Sequence, residues 1–147
     1  MTRARPWHLD LEVVLRDLDG LGHVNNAVYA TYLETARNKF VAHLLRTPLG
    51  LDFVFILARL AIDFRRSAIL GQTLRIELWP TRVGDKSFDL AYTIRARGGR
   101  DLQVEATSVQ VCYDYAKQAS MPVPPRLRAA LERELRRLGR SAPAKSR

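Results

Sequence analysis

Residues 16–26 gather most of the groups able to do chemistry: Arg16-Asp17-Leu18-Asp19-Gly20-Leu21-Gly22-His23-Val24-Asn25-Asn26. Two carboxylates two positions apart share one side of a strand end if an extended run continues that far. Like charges so placed raise one pKa and leave a usable base. Asn25 or Asn26 suits a helix N-cap. A helix starting there offers free N–H groups and a positive dipole end. Such an end can hold a carbonyl oxygen as it becomes an oxyanion. A carboxylate beside an oxyanion site suits acyl transfer or hydrolysis. The same residue types also build ordinary Asx turns and caps, so residue type alone leaves both readings open.

The other reactive groups have less context. His23 is a candidate base, although a lone histidine is more often a structural hydrogen-bonder. Cys112 sits inside an apolar strand pattern, and no G-x-S-x-G is present. His8, His23 and His43 lack the spacing of metal ligands, so no metal and no cofactor are expected. Glu34 either projects toward the site or makes a helix-surface pair with Arg37 or Asn38.

Several elements must position these residues. His8 to Asp17 alternates apolar and polar, which predicts a half-buried strand through Asp17. Asp19–Gly22 breaks it. Tyr29, Leu33, Ala36, Phe40 and Leu44 then recur at steps of four and three, predicting a helix to about Leu45. Thr47-Pro48-Leu49-Gly50 stops it. Four more alternating runs follow, around residues 54–64, 74–78, 88–96 and 102–115, separated by short Gly-containing turns. That spacing predicts antiparallel neighbours. In the last run the apolar stretch is densest at Val109, Val111 and Tyr113. Pro80 predicts an edge or a bulge. Pro122-Val123-Pro124-Pro125 opens a final helix with a stripe of Leu127, Leu131, Leu135 and Leu138. One apolar helix face must cover one face of the sheet. The expected class is α+β, with an antiparallel sheet wrapped around a long early helix.

At 147 residues the chain reads as one domain over 1–138 and a disordered basic tail over 139–147. From Arg126 onward eight Lys/Arg face only Glu132 and Glu134, so most of the net charge of +9 lies at the C-terminus. That charge reads as a solvated helix or as a patch for anions or membranes. The tail has no aromatic residues to stack on bases, which argues against nucleic acid. No apolar run approaches the roughly 20 residues of a membrane span. The N-terminus lacks the apolar core of a secretory signal, and a cytoplasmic protein is expected. The single Cys112 rules out an internal disulfide.

The motif of residues 16–26, with Tyr29, Tyr32-Leu33-Glu34 and Ala36-Arg37, resembles the hotdog-fold acyl-CoA thioesterases. The likeness is to the 4-hydroxybenzoyl-CoA thioesterase superfamily, in its D-x-D-x-x-G-H-V-N-N branch. It continues through Ile62-Asp63-Phe64, Gly71-Gln72-Thr73-Leu74, Gly84-Asp85-Lys86-Ser87-Phe88 and Val109–Asp114, and so spans roughly residues 9 to 130.

The resemblance implies a hotdog domain that forms homodimers by joining sheets, or dimers of dimers, with the active site at the interface. It implies hydrolysis of an acyl thioester of CoA, or of an acyl carrier protein, to a carboxylic acid. Asp19 takes the place of the catalytic aspartate, as base or nucleophile. The Asn26 N–H takes that of the carbonyl-polarising amide, and Glu34 that of the helix glutamate. Gly22, His23, Val24, Asn25, Tyr29 and Ser87 would line the substrate. Arg59, Arg65, Arg66 or Lys86 would meet the CoA phosphates. Many members carry Tyr-Tyr or Phe-Tyr where this chain has Val24-Asn25-Asn26, which makes a fatty or branched acyl group at least as fitting as an aryl one. A non-catalytic binder of acyl-CoA or of a carrier protein is the alternative.

Overall fold

The computed structural model describes residues 3–50 and 54–139; most of the predicted tail, residues 140–147, lies outside them. Strand β1 (Trp7–Glu12) leads through a 3-10 turn (Leu15–Asp17) to helix α1 (Asn26–Leu45). Strands β2 (Phe55–Phe64), β3 (Thr73–Val83), β4 (Ser87–Ala96), β5 (Leu102–Asp114) and the short β6 (Ala119–Ser120) follow, then helix α2 (Pro125–Leu138). The sheet order is β1-β3-β4-β5-β2, antiparallel throughout, with β6 on β5. Helix α1 lays Tyr29, Leu33, Ala36 and Phe40 into one core with Leu74, Ile76, Leu78, Phe88, Leu90 and Ile94 of the sheet. The expected long helix wrapped by an antiparallel sheet is present.

Three details differ from the sequence reading, each for a physical reason. Strand β1 ends at Glu12, opposite Thr73, the first residue of β3. Val13 still exchanges main-chain hydrogen bonds with Gly71 and Gln72, but the opposing chain turns there and no strand is left for residues beyond it to pair with. Asp17 instead accepts the Val14 N–H, the chain turns, and Leu15 is left 73% exposed. Second, α1 ends at Leu45 as expected, but its last turn is closed just before Thr47-Pro48-Leu49-Gly50, by Arg46 in the left-handed region (φ 52), whose N–H reaches the Ala42 and His43 carbonyls left open at the helix end. Third, β5 buries the face opposite to its densest apolar stretch. Val104, Ala106, Ser108, Gln110 and Cys112 are buried, while Val109, Val111 and Tyr113 lie half-exposed. The inward Ser108 and Gln110 belong to a polar chain under α1, described below.

Pro80 sits beyond Leu78, the last β3 residue paired with β1, and beside a bulge between Pro80 and Arg82. Its missing N–H therefore costs no ladder bond to β1.

Three of the five arginines of α2 are structural ties. Arg126 donates to the Leu45 carbonyl at the end of α1, and Arg128 to the Gly84 carbonyl in the β3–β4 turn. Arg137 donates to the Arg5 carbonyl at 2.9 Å and to Glu134. Leu127, Leu131 and Leu138 are buried beneath them.

At the other edge, Arg75 grips the Asp10 carboxylate through both oxygens, each at 2.8 Å, with Arg97 3.7 Å away. The Arg75 hydrogen bonds hold the Asp10 carboxyl below its ordinary value of 3.8. A lowered carboxylate pKa stabilises the fold above the unfolded value and loses that contribution as pH falls through the folded one. Below about pH 4 the wild type is expected to lose about 1 kcal/mol that Asp10→Asn does not have to lose. Urea midpoints of both proteins at pH 6 and pH 3 check this.

Candidate active site

The segment from Asp17 to Asn25 is a miniature hairpin. The Asn25 N–H donates to the Asp17 carbonyl (2.9 Å), Leu18 bridges Val24, and the Asp19 N–H donates to the His23 carbonyl (2.8 Å). Its tip closes with Gly22 at φ 79, a region that favours glycine. One arm runs directly into α1. That same arm is stitched to the chain after β2: Val24 N–H donates to the Ala68 carbonyl, and His23 bridges Ile69. The buried Tyr29 hydroxyl in turn accepts the Ala68 N–H at 3.2 Å.

The two carboxylates have separate fates, because the strand that would have aligned them does not reach them. Asp17 accepts from the Val14 N–H (3.1 Å) and the Tyr32 hydroxyl (2.7 Å), both on Oδ2. Burial, then this bond to a carboxylate, raises the Tyr32 pKa, so the phenol stays protonated. Asp19 accepts the Leu21 and His23 N–H groups on Oδ1, at 2.8 and 3.3 Å. Its Oδ2 has no hydrogen-bond partner among the described residues.

Asp19 lines a cleft of about 320 Å³ with Leu21, His23, Val24, Asn26, Tyr29, Phe64, Arg65, Arg66 and Ser67. At the start of α1 the Asn25 side chain accepts the Ala27 N–H (2.9 Å) and its carbonyl accepts that of Val28. The Asn26 N–H is left without a partner among the described residues. The cleft thus holds an accepting carboxylate oxygen, an unsatisfied amide donor at a helix start, and two arginines. Arg65 reaches Glu105 at 3.2 Å and Arg66 reaches Asp101 at 3.5 Å, and both arginine side chains stay more than half exposed.

Of the residues expected in the site, Asp19, His23, Val24, Asn26, Tyr29, Arg65 and Arg66 line this cleft; Gly22 and Asn25 shape its turn and cap. Glu34 and Ser87 lie elsewhere. Glu34 is two turns further along α1, about 12 Å from Asn26, and faces a different cleft of about 420 Å³. Among the described residues it makes no ion pair, so of its two readings the helix-surface pair with Arg37 is not formed. Ser87 accepts from Arg82 (2.8 Å) in the β3–β4 turn, and pairs with Val111 toward the Phe55 end of β2. Phe64, the last residue of the alternating run, and Ser67 also line the cleft, although neither was expected among the site residues.

The second cleft lies between α1 and the start of β2, lined by Glu34, Arg37, Asn38, Phe55, Leu57 and Tyr115 among others. Arg37 is buried there, and its guanidinium donates to the Tyr92 hydroxyl (3.4 Å), which shares a 2.7 Å bond with Ser108. Gln110 also reaches Ser108. Burial pushes the Cys112 thiol up to about 11, which removes it as a nucleophile at neutral pH. Among the described residues no group of three His, Cys, Asp or Glu could hold a metal ion, and no helix is long and apolar enough to cross a membrane.

A long helix wrapped by an antiparallel sheet is the hotdog fold, shared with solved thioesterase structures. The sequence profile of the thioesterase-like superfamily matches residues 13–131, and the chain belongs to that superfamily of thioester hydrolases. It is similar to the long-chain acyl-CoA thioesterase FadM of Escherichia coli K12, with 27% identity over 132 residues, covering 88% of this chain and 93% of the relative. Among solved structures it is similar to a thioesterase of Thermus thermophilus complexed with coenzyme A and zinc. That likeness has a TM-score of 0.77 at 26% identity and covers 94% and 98% of the two chains. A 1,4-dihydroxy-2-naphthoyl-CoA thioesterase from Synechocystis shares the fold, with a TM-score of 0.75 at 23% identity over 84% and 93% of the chains.

Proposed function

We propose that the protein hydrolyses acyl-CoA thioesters, with Asp19 and the Asn26 N–H as its catalytic pair. The observation that carries this reading is the unpartnered Asn26 amide in the same cleft as an Asp19 oxygen that is also free among the described residues. In the base route, Asp19 Oδ2 takes a proton from water as the water oxygen attacks the thioester carbon. The carbonyl oxygen becomes an oxyanion against the Asn26 N–H. Collapse breaks the C–S bond, and the CoA thiolate leaves and is protonated. In the nucleophile route, Asp19 displaces the thiolate itself, and water then hydrolyses the acyl anhydride. A thioester is already activated, so positioning and one good donor are enough without a full triad.

Arg65 and Arg66 are suited to the CoA phosphates, since both stand on the rim with exposed side chains. A second copy of the chain, joined along β2, is proposed to complete the cleft. Strand β2 is a sheet edge ten residues long, with Val54, Ile56, Leu57 and Phe64 exposed on or beside it. Such an edge invites pairing with another strand.

The test is thiol release from short, long and aromatic acyl-CoAs. Hydrolysis is expected, fastest for fatty chains, as the similarity to FadM and the absence of paired aromatics at Val24-Asn25-Asn26 support. Saturable binding of the same compounds without thiol release would replace catalysis by binding alone.

A further inference from the structure

Asp17 takes no part in the chemistry proposed above, yet it ties three parts of the site together. Its Oδ2 accepts the Val14 N–H, which caps Asp17's own 3-10 turn, and the Tyr32 hydroxyl from the second turn of α1. Its backbone carbonyl accepts the N–H of Asn25, the residue that caps α1. Asp17 therefore ties both arms of the Asp19 hairpin to the helix that supplies the Asn26 amide. Tyr32 is only 6% exposed, with its ring packed edge-on against Tyr29 at 5.8 Å, so the phenol that pins Asp17 is itself held.

We propose that Asp17 and Tyr32 form a positioning clamp that sets the Asp19 carboxylate against the Asn26 N–H. This inference rests on the proposed roles of Asp19 and Asn26. It assigns the two carboxylates of the motif opposite requirements. Asp19 must be an anion; Asp17 must only be an acceptor. Both of its donors converge on one oxygen, and Oδ1 is unbonded among the described residues. An asparagine with its carbonyl oxygen at the Oδ2 position would satisfy both.

The experiment compares wild type with Asp17→Asn, Asp17→Ala and Tyr32→Phe. It reads kcat and KM for the best acyl-CoA substrate, and amide hydrogen exchange across residues 17–26. Asp17→Asn is expected to keep most of its kcat. Asp17→Ala and Tyr32→Phe are expected to lose about tenfold or more in kcat with little change in KM, because geometry rather than substrate binding is lost. In the same two variants exchange at the Leu21, His23 and Asn25 amides should quicken while the middle of α1 stays protected. If Asp17→Asn falls as far as Asp19→Asn, the Asp17 charge enters the chemistry and the clamp is overturned. A Tyr32→Phe protein with unchanged kcat and unchanged exchange overturns it as well. Should the wild type hydrolyse no thioester, the functional reading fails, and exchange alone still decides whether the clamp exists.

Discussion

Asp19→Asn is expected to fold like the wild type and to lose about 10²–10⁴-fold in kcat, the range associated with a positioned general base. The turn uses only Oδ1, which accepts the Leu21 and His23 N–H groups. An asparagine carbonyl placed there preserves both bonds. Its amide nitrogen then occupies the Oδ2 position, where it can neither take a proton from water nor attack a carbonyl. Stability and KM should therefore hardly move, and the loss should appear in kcat. Thermal melts and thiol-release kinetics on one preparation decide the matter. An Asp19→Asn protein with wild-type turnover would remove Asp19 from the mechanism, whichever route it was assigned.

Leu57→Asp is expected to give a monomer with at least about tenfold lower activity. Leu57 is 42% exposed on the free edge strand and lines the cleft at the middle of α1. Burying an unpaired carboxylate against a second β2 would cost several kcal/mol, and each 1.4 kcal/mol weakens association about tenfold. Within β2 only Arg59 and Asp63 carry charge, so the strand has few of the devices that keep natural edges apart. Leu57 does not line the cleft around Asp19, so a loss of activity would come through the missing copy. Sedimentation and activity measured over the same concentration range test both halves of this expectation. Wild-type protein that sediments as a monomer at micromolar concentration would refute it outright.

Much of this architecture is legible from residue order. The Asn25 cap and the Tyr29, Leu33, Ala36, Phe40 rhythm locate α1, because capping and helical periodicity are local properties. Strand ends are not local. The alternation from His8 runs on to Asp17, but a strand lasts only as long as its neighbour, and β3 begins opposite Glu12. That one missing pairing separates Asp17 from Asp19, so that Asp17 binds Val14 and Tyr32 while Asp19 keeps one oxygen free among the described residues. The inward face of β5 is hidden for a related reason. Val109 and Val111 look like core, but the register with β4 and β2 places Ser108 and Gln110 inside, where Tyr92 and Arg37 answer them. The motif itself points to the cleft residues around Asp19. That Phe64 and Ser67 join them depends on the segment after β2 being stitched to the hairpin, a contact between parts distant in sequence.

The arginines of α2 divide the molecule's response to acid. Arg126 and Arg128 are bonded to main-chain carbonyls, which do not titrate. The Arg75–Asp10 pair on β1 depends on a carboxylate, which does. Acidification should therefore loosen the fold asymmetrically, freeing the outer strand while the C-terminal helix remains fastened. Arg126 and Arg128 thus act as a buckle whose main-chain bonds do not depend on a titrating partner.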